Sequence, residues 1–370
     1  MKNILKIYIE SFGHTGKGVG RINGKVVFAD YALPKEEIVV RIIRERKNYI
    51  ETEAVDILKP SAFRVKPVCP YYRLCGGCQL QHSAYEYQLT LKKDVFHNLF
   101  KRMIGYDIED VDIVPSIDKF FYRKRAKFEC FNDNWAFHKR NSDKMININR
   151  CYILDKQLNE YISKNRCRKG EIAVDDKNMV NGKNMLLDLS GVSSGLNIIY
   201  TKDVFRQVNR YINIKLINEI RSVLINNGAS SILEFFSGIG NFTIPILECG
   251  MSVVAMEIDK DAILVLKNSA QRLRLDKKLK VKRVDLYKNI TIKGNYSAVL
   301  LDPPRGGAAV LMKNILELLP ELILYISCEP STLLRDVKIL LGRYDIKKVK
   351  LFDMFPQTYH FETLMVLSKR

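Results

Sequence analysis

Ile232-Leu233-Glu234-Phe235-Phe236-Ser237-Gly238-Ile239-Gly240-Asn241 decides the fold: an apolar run broken only by Glu234 enters a glycine-punctuated turn, and a helix opens near Phe242. A short apolar run ending in turn residues fits a strand buried on both faces, and glycines there let the backbone approach a ligand closely. Further strands are expected at Met251–Glu257, Lys280–Val284, Ala298–Leu301, Leu322–Ser327 and Ile346–Leu351, with helical patterns between most of them. Such alternation implies a doubly wound, mostly parallel, Rossmann-like α/β sheet, which we assign to residues 200–370.

In such a sheet ligands bind at the carboxyl ends of the strands. Gly238-x-Gly240 alone is weak, since a tight strand-to-helix turn needs the same residues. The second strand, however, ends in Glu257, placed to accept both hydrogen bonds of a ribose diol, and the third leads to Asp285. A methyltransferase cofactor cleft and a nicotinamide site share this geometry, but the third glycine of the dinucleotide spacing is missing. Asp302 follows the fourth strand and precedes Pro303-Pro304-Arg305. Asp-Pro-Pro-Tyr would suggest methylation of an exocyclic amine, with the aromatic ring stacked on the base; Arg305 removes that ring. Cys328 follows the fifth strand at the same edge, where a nucleophile belongs, although a lone cysteine is often a small buried hydrophobe. Glu362 abuts the final strand Thr363–Leu367, where a solvated strand-end carboxylate is the plain alternative.

Upstream, the first 60 residues read as short strands, Ile4–Phe12, Lys25–Ala29 and Glu37–Glu45, with a turn through Gly13, Gly16, Gly18 and Gly20. This small-barrel pattern, with Phe12-Gly13-His14, Val26-Val27-Phe28-Ala29 and Ala32-Leu33-Pro34, resembles the TRAM domain, an OB-like RNA-binding barrel. Arg41, Arg44, Arg46 and Lys47 suit backbone contact, or simply protect an edge strand. Pro60 and Pro67 bracket a linker, Tyr85–Met103 is helical, and Val111 to about Ile199 reads as β-rich, giving a central domain at 61–199.

Sixty Lys and Arg against 41 Asp and Glu leave a formal charge of +19, which favours a polyanion partner, with a solvated lysine-rich surface as the alternative. Phe121-Tyr122-Arg123-Lys124-Arg125-Ala126-Lys127-Phe128 interleaves aromatics with cations, as base stacking and phosphate contact require; a half-buried strand would look similar. No run approaches the roughly 18 apolar residues that span a bilayer, so a cytoplasmic protein without membrane contact is expected. The eight cysteines argue against a disulfide framework. Cys69, Cys75, Cys78 and Cys151 can supply four thiolates, which suit zinc or an iron–sulfur cluster equally. Cys130, Cys167 and Cys249 fall outside that pattern as buried or incidental thiols.

Ser327-Cys328-Glu329-Pro330-Ser331-Thr332 and Met354-Phe355-Pro356-Gln357-Thr358-Tyr359-His360-Phe361-Glu362, with Asp302–Arg305 and Phe205-Arg206-Gln207-Val208-Asn209, closely resemble motifs of the RNA uracil-5-methyltransferase family. The resemblance covers nearly the whole chain. It implies that Cys328 is the nucleophile, that Glu362 is the base, and that Gln207, Phe236, Asn241, Glu257, Asp285 and Asp302 contact S-adenosyl-L-methionine or the target base. It also implies a [4Fe-4S] cluster on Cys69, Cys75, Cys78 and Cys151. The expected partner is RNA, 23S rRNA rather than tRNA because barrel and cluster occur together, and no obligate protein partner is evident, so a monomer is expected. A non-catalytic RNA-binding factor would lack the Cys or the Glu, and both are present.

Overall fold

The computed structural model describes residues 4–109, 111–167 and 207–370, together with the backbone of three strands between them. Two compact units emerge: residues 1–98, 118–172 and 355–360 form one, and 99–117, 173–354 and 361–370 the other.

The first unit opens with six strands, β1 (Ile4–Tyr8), β2 (Ser11–Phe12), β3 (Gly18–Ile22), β4 (Lys25–Asp30), β5 (Glu37–Glu45) and β6 (Tyr49–Lys59), in sheet order β1-β5-β6-β4-β3-β2. Ile7, Ile9, Val27, Ala29, Ile38, Val40 and Ile50 fill its core. The expected turn through Gly18 and Gly20 is strand β3 instead. A Cβ on Gly20 would lie 2.3 Å from the Tyr8 carbonyl oxygen, and one on Gly18 would lie 2.9 Å from Ile9 Cγ2. These glycines admit close packing rather than a bend. Strand β6, absent from the sequence reading, carries the acids that answer the cations of β5. The segment between Pro60 and Pro67 is anchored, since Arg64 Nη2 donates to Glu36 Oε2 at 2.7 Å and to the Tyr31 carbonyl at 2.8 Å.

Helix α1 (Tyr85–Ile104) buries Leu91, Val95, Phe96, Leu99 and Phe100, a 3.6-residue stripe. Strand β7 is Asp112–Val114, and β8 (Arg125–Phe131), β9 (Asn134–His138), β10 (Met145–Asn147) and β11 (Ile172–Asp175) make a sheet in order β10-β9-β8-β11. Helix α2 (Lys156–Lys164) follows Cys151, and β12 (Met185–Asp188) pairs antiparallel with β13 (Asn197–Tyr200). A disulfide joins Cys130 to Cys167, which corrects the expectation that these two are incidental thiols. Cys130 ends β8 and Cys167 follows α2, so their proximity depends on tertiary packing rather than on spacing in the sequence.

The second unit is built on an eight-stranded sheet of β7, β14 (Ser231–Phe235), β15 (Ser252–Glu257), β16 (Leu279–Arg283), β17 (Ala298–Leu301), β18 (Leu322–Ser327), β19 (Tyr344–Phe352) and β20 (Glu362–Lys369). Its order is β16-β15-β14-β17-β18-β20-β19-β7. Strands β14 to β18 run parallel, as the sequence pattern requires, and β20 enters antiparallel between β18 and β19. Helices α3 (Arg210–Asn226), α4 (Thr243–Glu248), α5 (Lys260–Arg272), α6 (Met312–Leu318) and α7 (Pro330–Leu340) complete it. The order reverses on either side of β14, and the crevice at the carboxyl ends beside that strand is where such a fold receives ligands.

Candidate active site

Strands β18 and β20 pair with Ser327 opposite Thr363. One step further along this register Cys328 faces Glu362, and directly opposed residues of antiparallel strands share a face. Strand β17 lies on the other side of β18 and ends at Leu301, so Asp302 and Arg305 enter at the same edge.

Glu362 is 4% exposed, and its Oε2 is buried with no hydrogen-bond partner. Burial drives its carboxyl well above the usual range; the Asp302 charge adds to this and the Arg305 guanidinium opposes it. The Cys328 thiol is pushed up to about 12, first by burial and then by Glu362, while Arg305 pulls it down through its charge and a hydrogen bond. Burial also lifts Asp302 to about 7. Arg305 therefore acts on both the thiol and the reluctant Glu362 carboxyl. The sequence reading used Arg305 only to exclude an amine substrate; its contact with the thiol depends on the loop's path and left no sequence signal.

The glycine turn follows β14. Phe236 has φ 59°, Gly238 φ 53° and Gly240 φ 94°. A strained aromatic backbone at a strand end is a recognised mark of a functional turn. A Cβ at Gly238 would meet open space, whereas one at Gly240 would lie 2.5 Å from Leu266 Cδ1. Gly238 therefore leaves room for a ligand, and Gly240 packs the turn onto α5. Glu257 Oε2 accepts from Gly238 N at 2.9 Å, and its Oε1 accepts from Ile258 N at 2.7 Å and Asp259 N at 3.0 Å. Oε2 keeps a lone pair for a ribose hydroxyl, while Oε1 is filled by two backbone amides, so the carboxylate also holds the turn, a task not foreseen. Ser237 Oγ in the same turn is buried without a partner, which suits a ligand that would supply one.

Asn241 and Asn213 exchange two amide hydrogen bonds at 2.8 and 3.0 Å. Asp285 Oδ1 accepts from Tyr287 N at 3.1 Å, and the Tyr287 ring lies 5.7 Å from that of Phe236. Phe236, Asn241, Glu257, Asp285 and Asp302 thus gather along one edge of the sheet. Gln207 is half-buried just ahead of α3, off the sheet, while Phe205 and Arg206 of its motif lie outside the described residues. Glu234, beneath the turn, accepts from Thr243 Oγ1 at 2.5 Å, and burial pushes it up to about 8.

Cys69, Cys75, Cys78 and Cys151 are all free thiols of the first unit. Burial raises the Cys78 thiol most, and Cys151, Cys75 and Cys69 each raise it further, so the four sense one another's charge. Backbone N–H groups of Tyr71 and Tyr72 favour the Cys69 thiolate, Gly77 that of Cys75, and Ile153 and Leu154 that of Cys151. Among the described residues no group of three or more His, Cys, Asp or Glu stands at metal-holding geometry. His82 is a packed core histidine, its Nδ1 2.6 Å from the Tyr72 hydroxyl.

The expected RNA surfaces are less open than their sequence suggested. Arg41 pairs with Glu53 at 2.9 Å and Arg44 with Glu51 at 3.9 Å, both across β5 and β6. Tyr122 and Phe128 are 4% and 1% exposed, so they belong to the core rather than to a stacking platform. Phe121 is half-buried, with the Arg150 guanidinium 5.3 Å from its ring centre. Among the described residues no helix is long and apolar enough to cross a membrane.

A Rossmann-like sheet with a glycine turn and acids at successive strand ends is a nucleotide-cofactor cleft, and the family match makes it that of a methyltransferase that uses S-adenosyl-L-methionine. The tRNA (uracil-5-)-methyltransferase family model matches residues 164–370 and the TRAM domain model matches residues 3–55; the chain belongs to the tRNA (uracil-5-)-methyltransferase family. It is 29% identical to the 23S rRNA (uracil(1939)-C(5))-methyltransferase RlmD of Histophilus somni, over 98% of this chain and 95% of that protein. It is also 29% identical to an uncharacterized RNA methyltransferase of Thermotoga maritima, over 98% and 99% of the two chains. Among solved structures, the Pyrococcus abyssi tRNA (uracil-54, C5)-methyltransferase in complex with S-adenosyl-L-homocysteine has the same fold, with TM-score 0.75 and 23% identity over 98% of this chain and 99% of that one.

Proposed function

We propose that this chain methylates C5 of a uridine in 23S rRNA through a covalent Cys328–C6 adduct. The observation that carries the mechanism is the buried, unpartnered Oε2 of Glu362 opposite Cys328. Uracil C5 is too weak a nucleophile to take a methyl group unaided. Addition of the Cys328 thiolate to C6 breaks the C5–C6 double bond and delivers its electron pair to an enolate, which makes C5 nucleophilic. S-Adenosyl-L-methionine, when bound, supplies the electrophilic methyl group. Glu362 then accepts the C5 proton, the double bond re-forms, and Cys328 leaves as thiolate. Arg305 favours the thiolate before attack and the Glu362 carboxylate before proton removal.

For the cofactor, Glu257 Oε2 would take a ribose hydroxyl, Ser237 and Asn241 would supply polar contacts, and Gln207, Phe236, Asp285 and Asp302 would contact the cofactor or the target base. Cys69, Cys75, Cys78 and Cys151 would hold a [4Fe-4S] cluster with a structural or RNA-positioning role; the all-thiol donor set and the backbone amides that favour the Cys69, Cys75 and Cys151 thiolates support this, and the thiols would draw together around the cluster. Residues 1–60 and 61–199 serve RNA binding and 200–370 the chemistry, in a cytoplasmic, monomeric enzyme. The 23S target rests on the Histophilus relative, and a tRNA uridine is the alternative because the family model and the Pyrococcus protein are named for tRNA.

The mechanism predicts that nucleophile and base fail at different steps. Cys328→Ala should form no adduct and no 5-methyluridine. Glu362→Gln should still attack and methylate, then stall before elimination, leaving a protein–RNA crosslink that survives denaturing electrophoresis. A crosslink absent from wild type and Glu362→Gln, with 5-methyluridine still made by Cys328→Ala, sinks the covalent route. Mass mapping of 5-methyluridine in 23S rRNA and tRNA from a deletion strain decides the target.

A further inference from the structure

Helix α7 begins two residues after Cys328, with Glu329 as its N-cap and Pro330 in its first turn. Thr332, Arg335 and Asp336, three and four residues apart, share one face of it. That face grips the loop after β17. Thr332 Oγ1 donates to the Arg305 carbonyl at 3.1 Å, Arg335 Nη2 donates to the Gly306 carbonyl at 2.9 Å, and Asp336 Oδ2 accepts from Ala308 N at 2.6 Å. Asp336 is fully buried and also accepts from the Tyr325 hydroxyl of β18 at 2.7 Å and from Arg335 Nε at 2.8 Å. Gly307 has φ 77°, and a Cβ there would lie 2.6 Å from Asp336 Oδ2, so the loop runs in direct contact with the carboxylate. Tyr287 closes the remaining position by donating to the Gly307 carbonyl at 3.1 Å.

Every backbone position from Arg305 to Ala308 is therefore fixed, most of them by the helix that starts behind the thiol. Cys328 is faced by Glu362 from β20 and by Asp302 and Arg305 from this loop, and only Arg305 among them favours its thiolate. An arginine side chain is long and entropically costly to hold, so its stem must be placed by something else. We propose that Thr332, Arg335 and Asp336 are positioning residues that keep the Arg305 guanidinium against Cys328 by fastening the Arg305–Ala308 backbone to α7. The inference rests on the reading of Cys328 as nucleophile. Thiol and guanidinium then move as one body, and loosening the clamp weakens attack without touching the cofactor turn.

The test follows alkylation of Cys328 by iodoacetamide in the full chain, scored by mass spectrometry of the Cys328 peptide. Thr332→Val and Asp336→Asn should slow it at pH 8, by up to about tenfold for a one-unit rise in thiol pKa. Thr332→Ser should restore the rate, and affinity for S-adenosyl-L-methionine should be unchanged. Arg305→Ala should slow alkylation similarly, and Arg305→Ala combined with Thr332→Val should be no slower than Arg305→Ala alone, because both remove one interaction. Wild-type rates in Thr332→Val and Asp336→Asn, multiplicative slowing in the double variant, or equal loss of cofactor affinity would each overturn the clamp. Full methylation by Cys328→Ala would instead remove its premise, an outcome read in a separate assay.

Discussion

Glu234 is a carboxyl whose protonation differs between folded and unfolded chain. Its value in the fold, about 8, lies above the ordinary 4.5, so the fold holds a proton that the unfolded chain gives up. Its stabilisation is full below pH 4.5 and is lost as the pH rises through about 8. Glu234→Gln keeps an acceptor for Thr243 and has no proton to lose. It should melt with wild type near pH 4.5 and a few degrees above it at pH 8, and a difference that does not grow with pH would mean Glu234 is ionised in the fold. Nothing in Ile232–Phe236 announced this, because a lone acid in an apolar run reads equally well as a ligand or a buried acid. The places of Cys328 and Glu362 at the sheet edge were legible because each abuts an apolar strand at a strand end. Asn213 and Arg305 were not, since their partners come from distant segments.

Among the elements, the parallel strands β14, β15, β17 and β18 were read nearly to the residue because their burial leaves nearly continuous apolar runs. The barrel was harder. Glycines that admit a neighbouring strand look like glycines that turn a chain, and the acids of β6 masked its alternation. The loop holding Cys151 was read as a ligand site without its support. Asn159 Oδ1 accepts from Cys151 N at 2.7 Å, and Asn159 Nδ2 donates to the Cys151 carbonyl at 2.9 Å, tying the thiol to α2. The disulfide spans 37 residues around that loop. Anaerobic protein should be brown with about four irons, and Cys151→Ser should lose most of the iron while retaining cofactor affinity. A colourless anaerobic preparation carrying stoichiometric zinc, or unchanged iron in Cys151→Ser, removes the cluster or its fourth ligand.

Across the whole molecule, the 60 Lys and Arg overstate the cations that RNA meets, because Arg41, Arg44 and Lys124 are already paired with Glu53, Glu51 and Asp155. RNA affinity should still fall steeply with salt, as cations on the protein displace counterions from phosphates. Alanine at the exposed Arg46 and Lys47 should flatten the logarithmic salt slope more than alanine at Arg41 and Arg44. Equal slopes from the two sets would mean that the paired arginines release their acids for RNA.

Strand β20 pairs with both β18 and β19, yet it leaves the ribosome after either of them. Until it arrives, the facing edges of those two strands are rows of unpaired amides and carbonyls that invite wrong partners. Nor does Glu362 yet stand opposite Cys328. A chain still being made therefore cannot assemble the cysteine–glutamate pair early. The strand that protects the sheet from aggregation is the same one that brings Glu362 opposite Cys328.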